Sequence, residues 1–280
     1  MRLVILLASL MGVAHLSAAQ PRELRGQLRD EAGAPLPFAT IGVVGQPVGT
    51  VADDSGRFQL LLPATVAASD SVRFALLGCR PRTMAVAGLP ANPVRIALAE
   101  AALALPEATV RARGLDTARI GNRHYQTHLM TNFALGSQPD QNLGAEIGRI
   151  FQLPRRGAWL ESFRCVICSE FDTVRVRLNV YRLRDGVPAE LLLTRPLYRE
   201  LIGAKDRWVT FDLRAENLFV TDGAVAVAVE WVGHSAQRGR TLSIPLLMPA
   251  FGTHLYRYGA ANRWKRFPGM STTMELTVLQ

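Results

Sequence analysis

Four adjacent residues, Asp53-Asp54-Ser55-Gly56, form the first group in this 280-residue chain whose side chains could do chemistry. Neighbouring carboxylates can bind a cation or act as a catalytic acid and base. Calcium, however, takes about six to eight oxygen ligands, and this stretch supplies only one pair of carboxylates. Glycine readily adopts the positive φ of a tight turn, and Phe58 follows as an apolar anchor. We therefore predict a hairpin turn with Asp54, Gly56 and Phe58 as fold markers, and no metal site.

Cysteines and histidines at ligand-like spacing are the next candidates. Cys165 and Cys168 have the C-x-x-C spacing of redox and zinc sites. Their flanks indicate a β-strand, in which residues three apart point to opposite faces, and no second ligand pair completes a zinc site. His124 and His128 lack the intervening glutamate of a zincin and a third ligand. We expect plain strand cysteines, with a structural disulfide as the open alternative, and no cofactor.

Carboxylates on a predicted strand could serve a glycoside hydrolase. Glu170 and Asp172 share one strand face in "EFDTV". The residue two positions further on that face is Val174, so the catalytic pattern breaks. Glu230 ends an apolar strand, where an ion pair with an arginine is the expected role. We assign no catalytic residue, and keep as an alternative a hydrolase that uses Glu170, Asp172 or Glu230 and brings two carboxylates within about 5–10 Å.

Exposed aromatic side chains can form a stacking platform for sugar rings, because the flat apolar ring packs on the C–H face of the sugar. Trp264 lies between cationic residues in "NRWKRF", which indicates an exposed position. Tyr256 and Tyr258 lie close by in "HLYRYG". Trp231 follows a run of valine and alanine, which favours a place in the core. The predicted ligand-binding residues are therefore Trp264, Tyr256 and Tyr258.

The N-terminal segment has the pattern of a secretory signal peptide. A short basic region with Arg2 precedes an apolar run and the small residues "SAA", and we expect cleavage after Ala19. The run is too short for a membrane anchor, and no later segment is long and apolar enough to span a bilayer. We expect an exported protein in the periplasm, at the outer-membrane surface or outside the cell.

The chain is basic, with a formal net charge of +9 that comes almost entirely from arginine. A basic exported protein could meet nucleic acid, anionic lipid or acidic glycans. The arginines are scattered along predicted strands, as in "RVRLNVYRLRDG", and no nucleic-acid-binding module can be recognised. We therefore expect no nucleic-acid partner, and a glycan or an envelope protein instead.

Short runs of alternating apolar and polar residues, bounded by glycine, proline, aspartate or asparagine, fill the mature chain. Runs spaced about ten residues apart, without amphipathic helices between them, predict an all-β fold of sandwiches or barrels. In "VRVRLNVYRL", Val174, Val176, Leu178 and Val180 share one face, as in a half-buried antiparallel strand. We predict a signal peptide at 1–19, a β-sandwich at 20–113, a polar boundary segment at 114–143 and a jelly-roll-like sandwich at 144–280.

The segments "GAPLPFA", "GT", "DDSGRF" and "LLGC" occur in that order in the first predicted sandwich, and "PEATVRA" closes it. With these motifs, residues 22–113 resemble the carboxypeptidase regulatory-like domain, a transthyretin-like β-sandwich of exported proteins of the Bacteroidetes type. The matching positions are Gly33, Pro35, Leu36, Ala39, Gly49, Thr50, Gly56, Phe58, Gly78 and Glu107, and Cys79 occupies a position where the family has an aromatic residue. The resemblance implies a non-catalytic accessory domain.

The leading hypothesis is therefore an exported, non-enzymatic protein of the cell envelope that binds a glycan or a protein. One alternative is a hydrolase with its site in the C-terminal sandwich, and another is a structural spacer or assembly factor. The C-terminal sandwich resembles no family that its motifs identify.

Overall fold

The computed structural model describes residues 21–90, 92–101, 114–123, 127–133, 142–203, 206–235 and 241–280. Within them, β-strands make up almost all of the regular secondary structure, which confirms the predicted all-β fold class. The predicted signal peptide, His124 and Glu107 lie outside the described residues. No helix in the described part of the chain is long and apolar enough to cross a membrane.

The first sandwich consists of a three-stranded and a four-stranded sheet. Its strands are β1 (Arg22–Arg29), β2 (Thr40–Val43), β3 (Gly49–Val51), β4 (Arg57–Leu62), β5 (Ser71–Ala75), β6 (Arg82–Ala85) and β7 (Val94–Ala97). A 3₁₀ turn, Val86–Gly88, follows β6. The sheet orders are β4-β1-β7 and β3-β2-β5-β6, and β1 runs parallel to β7 and antiparallel to β4.

The core of this sandwich follows the alternation of the strands. On β4, Phe58, Leu60 and Leu62 are buried and the residues between them are exposed. They pack with Leu24 of β1 and Phe74 of β5 in one apolar cluster. The period of two therefore identifies the inner face correctly here.

The second sandwich contains longer strands. They are β8 (Thr117–Gly121), β9 (Met130–Asn132), β10 (Glu146–Gln152), β11 (Ala158–Ser169), β12 (Thr173–Arg184), β13 (Val187–Leu191), β14 (Leu197–Ile202), β15 (Arg207–Asp212), β16 (Phe219–Val220), β17 (Ala224–His234), β18 (Leu242–Leu247), β19 (Thr253–Arg257), β20 (Lys265–Pro268), β21 (Ser271–Thr272) and β22 (Met274–Leu279). A 3₁₀ turn, Arg214–Glu216, precedes β16.

Two sheets enclose the core of the second sandwich. One has the order β13-β12-β17-β10-β19-β20, with β14 also paired to β12. We call it the junction sheet, because its outer face meets the first sandwich. The other has the order β21-β18-β11-β22-β8, with β15 and β16 on β11 and β9 on β18. Trp231 is fully buried between the sheets, as its apolar run indicates.

Part of the expected boundary segment belongs to the second sandwich. Thr117–Gly121 pairs with β22, and Met130–Asn132 pairs with β18. Ala118 and Ile120 pack against the core from the edge of the sheet. The alternation is only five residues long and lies among polar residues, so it is too weak to indicate a strand from the sequence.

The predicted turn at Asp53–Gly56, called the acidic turn below, is present, and the N–H of Asp53 donates to the carbonyl oxygen of Arg57 at 2.8 Å. The strands on its two sides belong to different sheets, however, so they do not form the predicted hairpin. The Oδ1 atom of Asp53 accepts the backbone N–H groups of Ser55 at 2.8 Å and Arg57 at 2.9 Å. Strand β3 then pairs with β2, whereas β4 pairs with β1. Gly56 has a φ of 71°, and a Cβ there would lie 2.5 Å from the backbone oxygen of Leu28. The turn therefore requires glycine at this position, because it packs directly against the backbone of β1.

Candidate functional site

The first sandwich packs closely on the outer face of the junction sheet and the loop that follows β19. A Cβ on Gly42 would lie 2.9 Å from the backbone nitrogen of Ala261, and one on Gly49 would lie 2.9 Å from that of Ala260. The N–H of Gly45 donates to the carbonyl oxygen of Ala261 at 3.0 Å. Glycine on β2 and β3 thus permits a backbone-to-backbone approach, and two clefts, A and B, lie along this junction.

Cleft A has a volume of about 870 Å³ and lies between the acidic turn and the end of the junction sheet. This volume is in the range of ligand sites, roughly 300–1,000 Å³. Acidic, basic and uncharged hydrogen-bonding side chains line it. They are Thr50, Asp53, Asp54, Arg57 and Gln59 from the first sandwich and Thr173, Arg175, Glu200, His234 and Ser235 from the second.

Arg175 spans cleft A. Its guanidinium donates from Nη1 to Asp54 of the first sandwich at 2.9 Å and from Nη2 to Glu200 at 2.6 Å. The hydrogen bond to Glu200, more than the charge of Asp54, raises the pKa of Arg175. The same guanidinium lies 4.6 Å from the ring centre of Phe38, whose other neighbour is the ring of Tyr198 at 5.2 Å. Arg175 therefore joins the two sandwiches and covers an aromatic ring.

Phe38 has a strained backbone at the junction. Its φ is 57°, in the left-handed region that bulky residues rarely adopt. Its N–H donates to the carbonyl oxygen of Ala52 at 3.2 Å, and its own carbonyl oxygen accepts Nη1 of Arg177 at 3.0 Å. Strained residues persist only where the surroundings hold them. The contacts from both sandwiches hold Phe38 between clefts A and B.

Cleft B has a volume of about 510 Å³ and faces the middle of the junction sheet. The first sandwich contributes Thr40, Arg73 and Cys79 to its lining. The junction sheet contributes a cluster of charged and polar side chains: Glu146, Arg177, Asn179, Tyr181, Glu230 and Arg257. Most of these side chains are buried, so their partners decide whether the cluster is stable.

Glu230 is the first of two buried carboxylates in cleft B. Arg177 holds it with two parallel hydrogen bonds, from Nε to Oε2 at 2.9 Å and from Nη2 to Oε1 at 2.8 Å. Asn179 donates to Oε2 at 2.7 Å. Burial raises the pKa of Glu230, and the positive charge of Arg177 opposes that rise. This pair is the structural ion pair that the sequence predicts for Glu230.

Glu146 is the second carboxylate and lies directly opposite Glu230 in the β10–β17 ladder. Tyr181 donates its hydroxyl proton to Oε2 of Glu146 at 2.9 Å, and the guanidinium of Arg257 donates to Oε1. The amide of Asn179 also reaches Oε2 of Glu146, at 3.2 Å. Burial first, and the charge of Glu146 second, raise the pKa of Tyr181 well above its usual value. Sequence reasoning missed Glu146 because only strand register brings it beside Glu230.

The other predicted acidic residues lie elsewhere. Glu170 and Asp172 are in the turn between β11 and β12, where Glu170 accepts the N–H of Thr241 at 2.9 Å. Glu230 lies opposite Arg177, five residues along from Asp172, or about 16 Å of extended strand. The structure therefore does not bring Glu170 or Asp172 to Glu230.

The three aromatic residues predicted to bind a ligand do not share a face. Tyr256 is buried in the core of the second sandwich, with the ring of Tyr258 at 3.8 Å. Trp264 is half-buried on the outer face of the junction sheet. The guanidinium of Arg257 lies 4.6 Å from its ring centre, and the ring of Tyr181 is 5.7 Å away. Trp264 thus borders cleft B, and ligand contact by the three residues stays a prediction.

Cys165 and Cys168 lie on β11, as expected for strand cysteines, and both are free thiols. Burial raises the pKa of the Cys165 thiol, and burial together with Asp206 raises that of Cys168 to about 12. Both are therefore protonated and unreactive at neutral pH. Within the described residues, no three histidine, cysteine or acidic side chains are placed to hold a metal ion.

No family model and no curated protein matches the chain. Among solved structures, it is similar to the cysteine protease and lectin-like domains of Cwp84, a surface layer associated protein of Clostridium difficile. The identity is 6% and the TM-score 0.38, over 93% of this chain and 64% of that chain. It is also similar to a DUF3823 family protein from Parabacteroides merdae, with 10% identity and a TM-score of 0.22 over 81% and 97% of the two chains.

A third similarity is to the infectious bursal disease virus Gx strain, with 11% identity and a TM-score of 0.28 over 92% of this chain and 64% of that chain. This chain spans less than two thirds of the Cwp84 and viral chains. All three TM-scores are below 0.5, so these similarities carry no argument about function.

Proposed function

We propose that this chain is an exported, non-catalytic protein of the cell envelope that binds a glycan segment in cleft A. The observation that carries the proposal is the lining of this cleft. Carboxylates, guanidinium groups, hydroxyls and an imidazole surround a space of ligand size between two sandwiches. Each sugar hydroxyl can donate one hydrogen bond and accept another, so it matches a lining that contains both carboxylate acceptors and guanidinium donors.

The cleft also contains an apolar strip for the C–H faces of a sugar ring. Val51, Ala52, Leu143 and Val232 line it beside the polar groups. Arg175 lines the same cleft and its side chain is 29% exposed, so the N–H groups that Asp54 and Glu200 do not occupy can reach a sugar hydroxyl. We therefore assign Arg175 the role of the central ligand-binding residue.

The export half of the proposal rests on the signal-peptide pattern of residues 1–19. We further propose that residues 22–113 form a carboxypeptidase regulatory-like domain, which the three-plus-four strand sandwich supports. Fractionation of cells that express the full chain, with N-terminal sequencing of the mature protein, tests the first statement. Recovery of uncleaved protein in the cytoplasm would contradict it.

A glycan array followed by calorimetry with the best oligosaccharide tests binding in cleft A. We expect Arg175→Met to weaken binding at least about tenfold, the effect of losing one charge-assisted hydrogen bond. Arg182→Met is the matched control, since Arg182 lies on the same strand and also pairs with two carboxylates, outside the lining of both clefts. An array without binding, or equal affinity for Arg175→Met and wild type, would overturn the proposal.

Cleft B favours a second candidate, a glycoside hydrolase. The Oε2 atoms of Glu146 and Glu230 both lie within reach of the Asn179 amide, at 3.2 and 2.7 Å. They are therefore less than about 6 Å apart, a limit that includes the roughly 5–5.5 Å between the carboxyl groups of retaining enzymes. Each carboxylate is paired with an arginine, Glu230 with Arg177 and Glu146 with Arg257, and in a retaining mechanism one would act as the acid and the other as the nucleophile. The wild type should then hydrolyse aryl glycosides, and Glu146→Gln and Glu230→Gln should each abolish this activity. The absence of turnover by the wild type would refute the hydrolase candidate.

A further inference from the structure

One end of the second sandwich exposes a group of large apolar side chains, which we call the apolar tip. Its members are Leu129, Met130, Met248, Phe251 and Phe267. Phe251 is fully exposed, at 103% of its reference area, and Met248 is 54% exposed. Monomeric soluble proteins rarely leave such a group in water without a use for it.

Backbone hydrogen bonds hold the tip together. The N–H of Leu246 donates to the carbonyl oxygen of Leu129 at 2.9 Å, beside the β9–β18 ladder. The N–H of Ala250 donates to the carbonyl oxygen of Gly269, and the N–H of Gly269 to that of Gly252. These bonds tie the loop after β18 to the turn after β20, so Phe251 protrudes from an ordered segment.

The surroundings of the tip are basic. From Thr241 to Met274 the sequence contains no aspartate or glutamate, although it contains four arginine and lysine residues. Three of them, Arg263, Lys265 and Arg266, are exposed. Lys265 and Arg266 are on β20 with Phe267, whereas Arg263 is in the preceding loop.

A buried cation adds to this charge. A Cβ on Gly252 would lie 3.3 Å from Nη2 of Arg149, which therefore sits directly below the loop that bears Phe251. Within the described residues, Arg149 reaches only the carbonyl oxygens of Thr272 and Met274, at 3.5 and 3.4 Å, and no carboxylate. Burial lowers its pKa to about 10, so it stays charged at neutral pH.

We propose that the apolar tip docks on a bilayer surface that contains anionic lipids. Phe251 and Met248 enter the boundary between headgroups and acyl chains, and Lys265, on the same face of β20 as Phe267, contacts a lipid phosphate. Aromatic side chains with adjacent cations are the combination that such interfaces bind. The absence of acidic residues from 241–274 is the charge complementarity that favours a lipid surface over a protein partner of mixed charge. A single protruding phenylalanine also suits a deformable bilayer better than a flat protein face.

Co-sedimentation with vesicles of phosphatidylcholine, with and without phosphatidylglycerol, tests this docking. We expect the wild type to bind the anionic vesicles and to dissociate as salt is added. The variant Met248→Ser with Phe251→Ser should bind at least about tenfold more weakly, because it loses two inserted apolar side chains. Ile202→Ser is the matched control, since Ile202 is 72% exposed outside the tip, and it should bind like the wild type.

A positional measurement keeps the test independent of folding defects. Tryptophan fluorescence of Phe251→Trp should be quenched by brominated lipids, and that of Ile202→Trp should be quenched no more than the wild type. Arg175→Met should still bind vesicles, which separates this docking from the glycan cleft. Failure of the wild type to bind anionic vesicles at low salt, or equal binding of the double serine variant, would overturn the proposal.

Discussion

Replacement of Arg177 by methionine gives the most direct test of the junction between the sandwiches. Arg177 makes two hydrogen bonds to Glu230 and one to the carbonyl oxygen of Phe38. Methionine keeps the apolar part of the side chain and removes every donor. Glu230 is only 2% exposed, so water cannot replace the lost guanidinium.

The size of the effect follows from these contacts. A buried carboxylate that loses its ion-pair partner costs about 3–5 kcal/mol of folding free energy. The Phe38 carbonyl oxygen loses its donor from the second sandwich as well, at roughly 1 kcal/mol. We therefore expect the free energy of unfolding to fall by about 4–6 kcal/mol. In contrast, Arg182→Met removes two ion pairs whose members are about half exposed, and should cost roughly 0–1 kcal/mol.

Urea denaturation followed by circular dichroism and tryptophan fluorescence measures both variants. We expect a lower midpoint for Arg177→Met with a slope close to that of the wild type. The double variant Arg177→Met with Glu230→Leu should recover much of the loss, since it no longer buries an unpaired charge. A loss below about 1 kcal/mol for Arg177→Met, or a double variant less stable than the single one, would refute the role given to this pair.

Three further predictions concern single sites. Burial lowers the pKa of His254 from 6.5 to about 4, so between these two pH values only the unfolded chain binds a proton at this site. The free energy of unfolding should therefore fall by up to roughly 3 kcal/mol as the pH drops through this range, and His254→Phe should flatten this dependence in denaturation measured across pH. Gly56→Ala should destabilise the protein by about 2 kcal/mol or more, because φ is positive there and the new Cβ would lie 2.5 Å from the backbone oxygen of Leu28. Gly33→Ala, which has a positive φ but open space around it, should cost only about 1 kcal/mol, and equal losses in thermal melts would contradict this difference. Native Cys165 and Cys168 should resist iodoacetamide at neutral pH and react after unfolding, as mass spectrometry would show.

The acidic turn illustrates how far local sequence reaches. Asp53 and Gly56 are residue types that make a tight turn, and the turn is present with Asp53 accepting two backbone N–H groups. The sequence does not reveal that the strands on either side belong to different sheets, because that depends on pairing with β1 and β2, which are distant in the chain. The same limit explains why Glu146 was missed beside Glu230 in cleft B.

The sequence by itself determined the all-β fold class and, on strands such as β4 and β12, the face that is turned to the core, since alternation with a period of two is a local property of the chain. On β12 it correctly placed Val174 and Val176 in the core. It also indicated a half-exposed strand, whereas Arg177 and Asn179 on the other face are buried too. Only the tertiary structure decided this, because the first sandwich covers that face and the charged groups there find their partners on neighbouring strands. Polar residues look solvent-exposed in a sequence, and only long-range packing shows which of them are paired in a cleft.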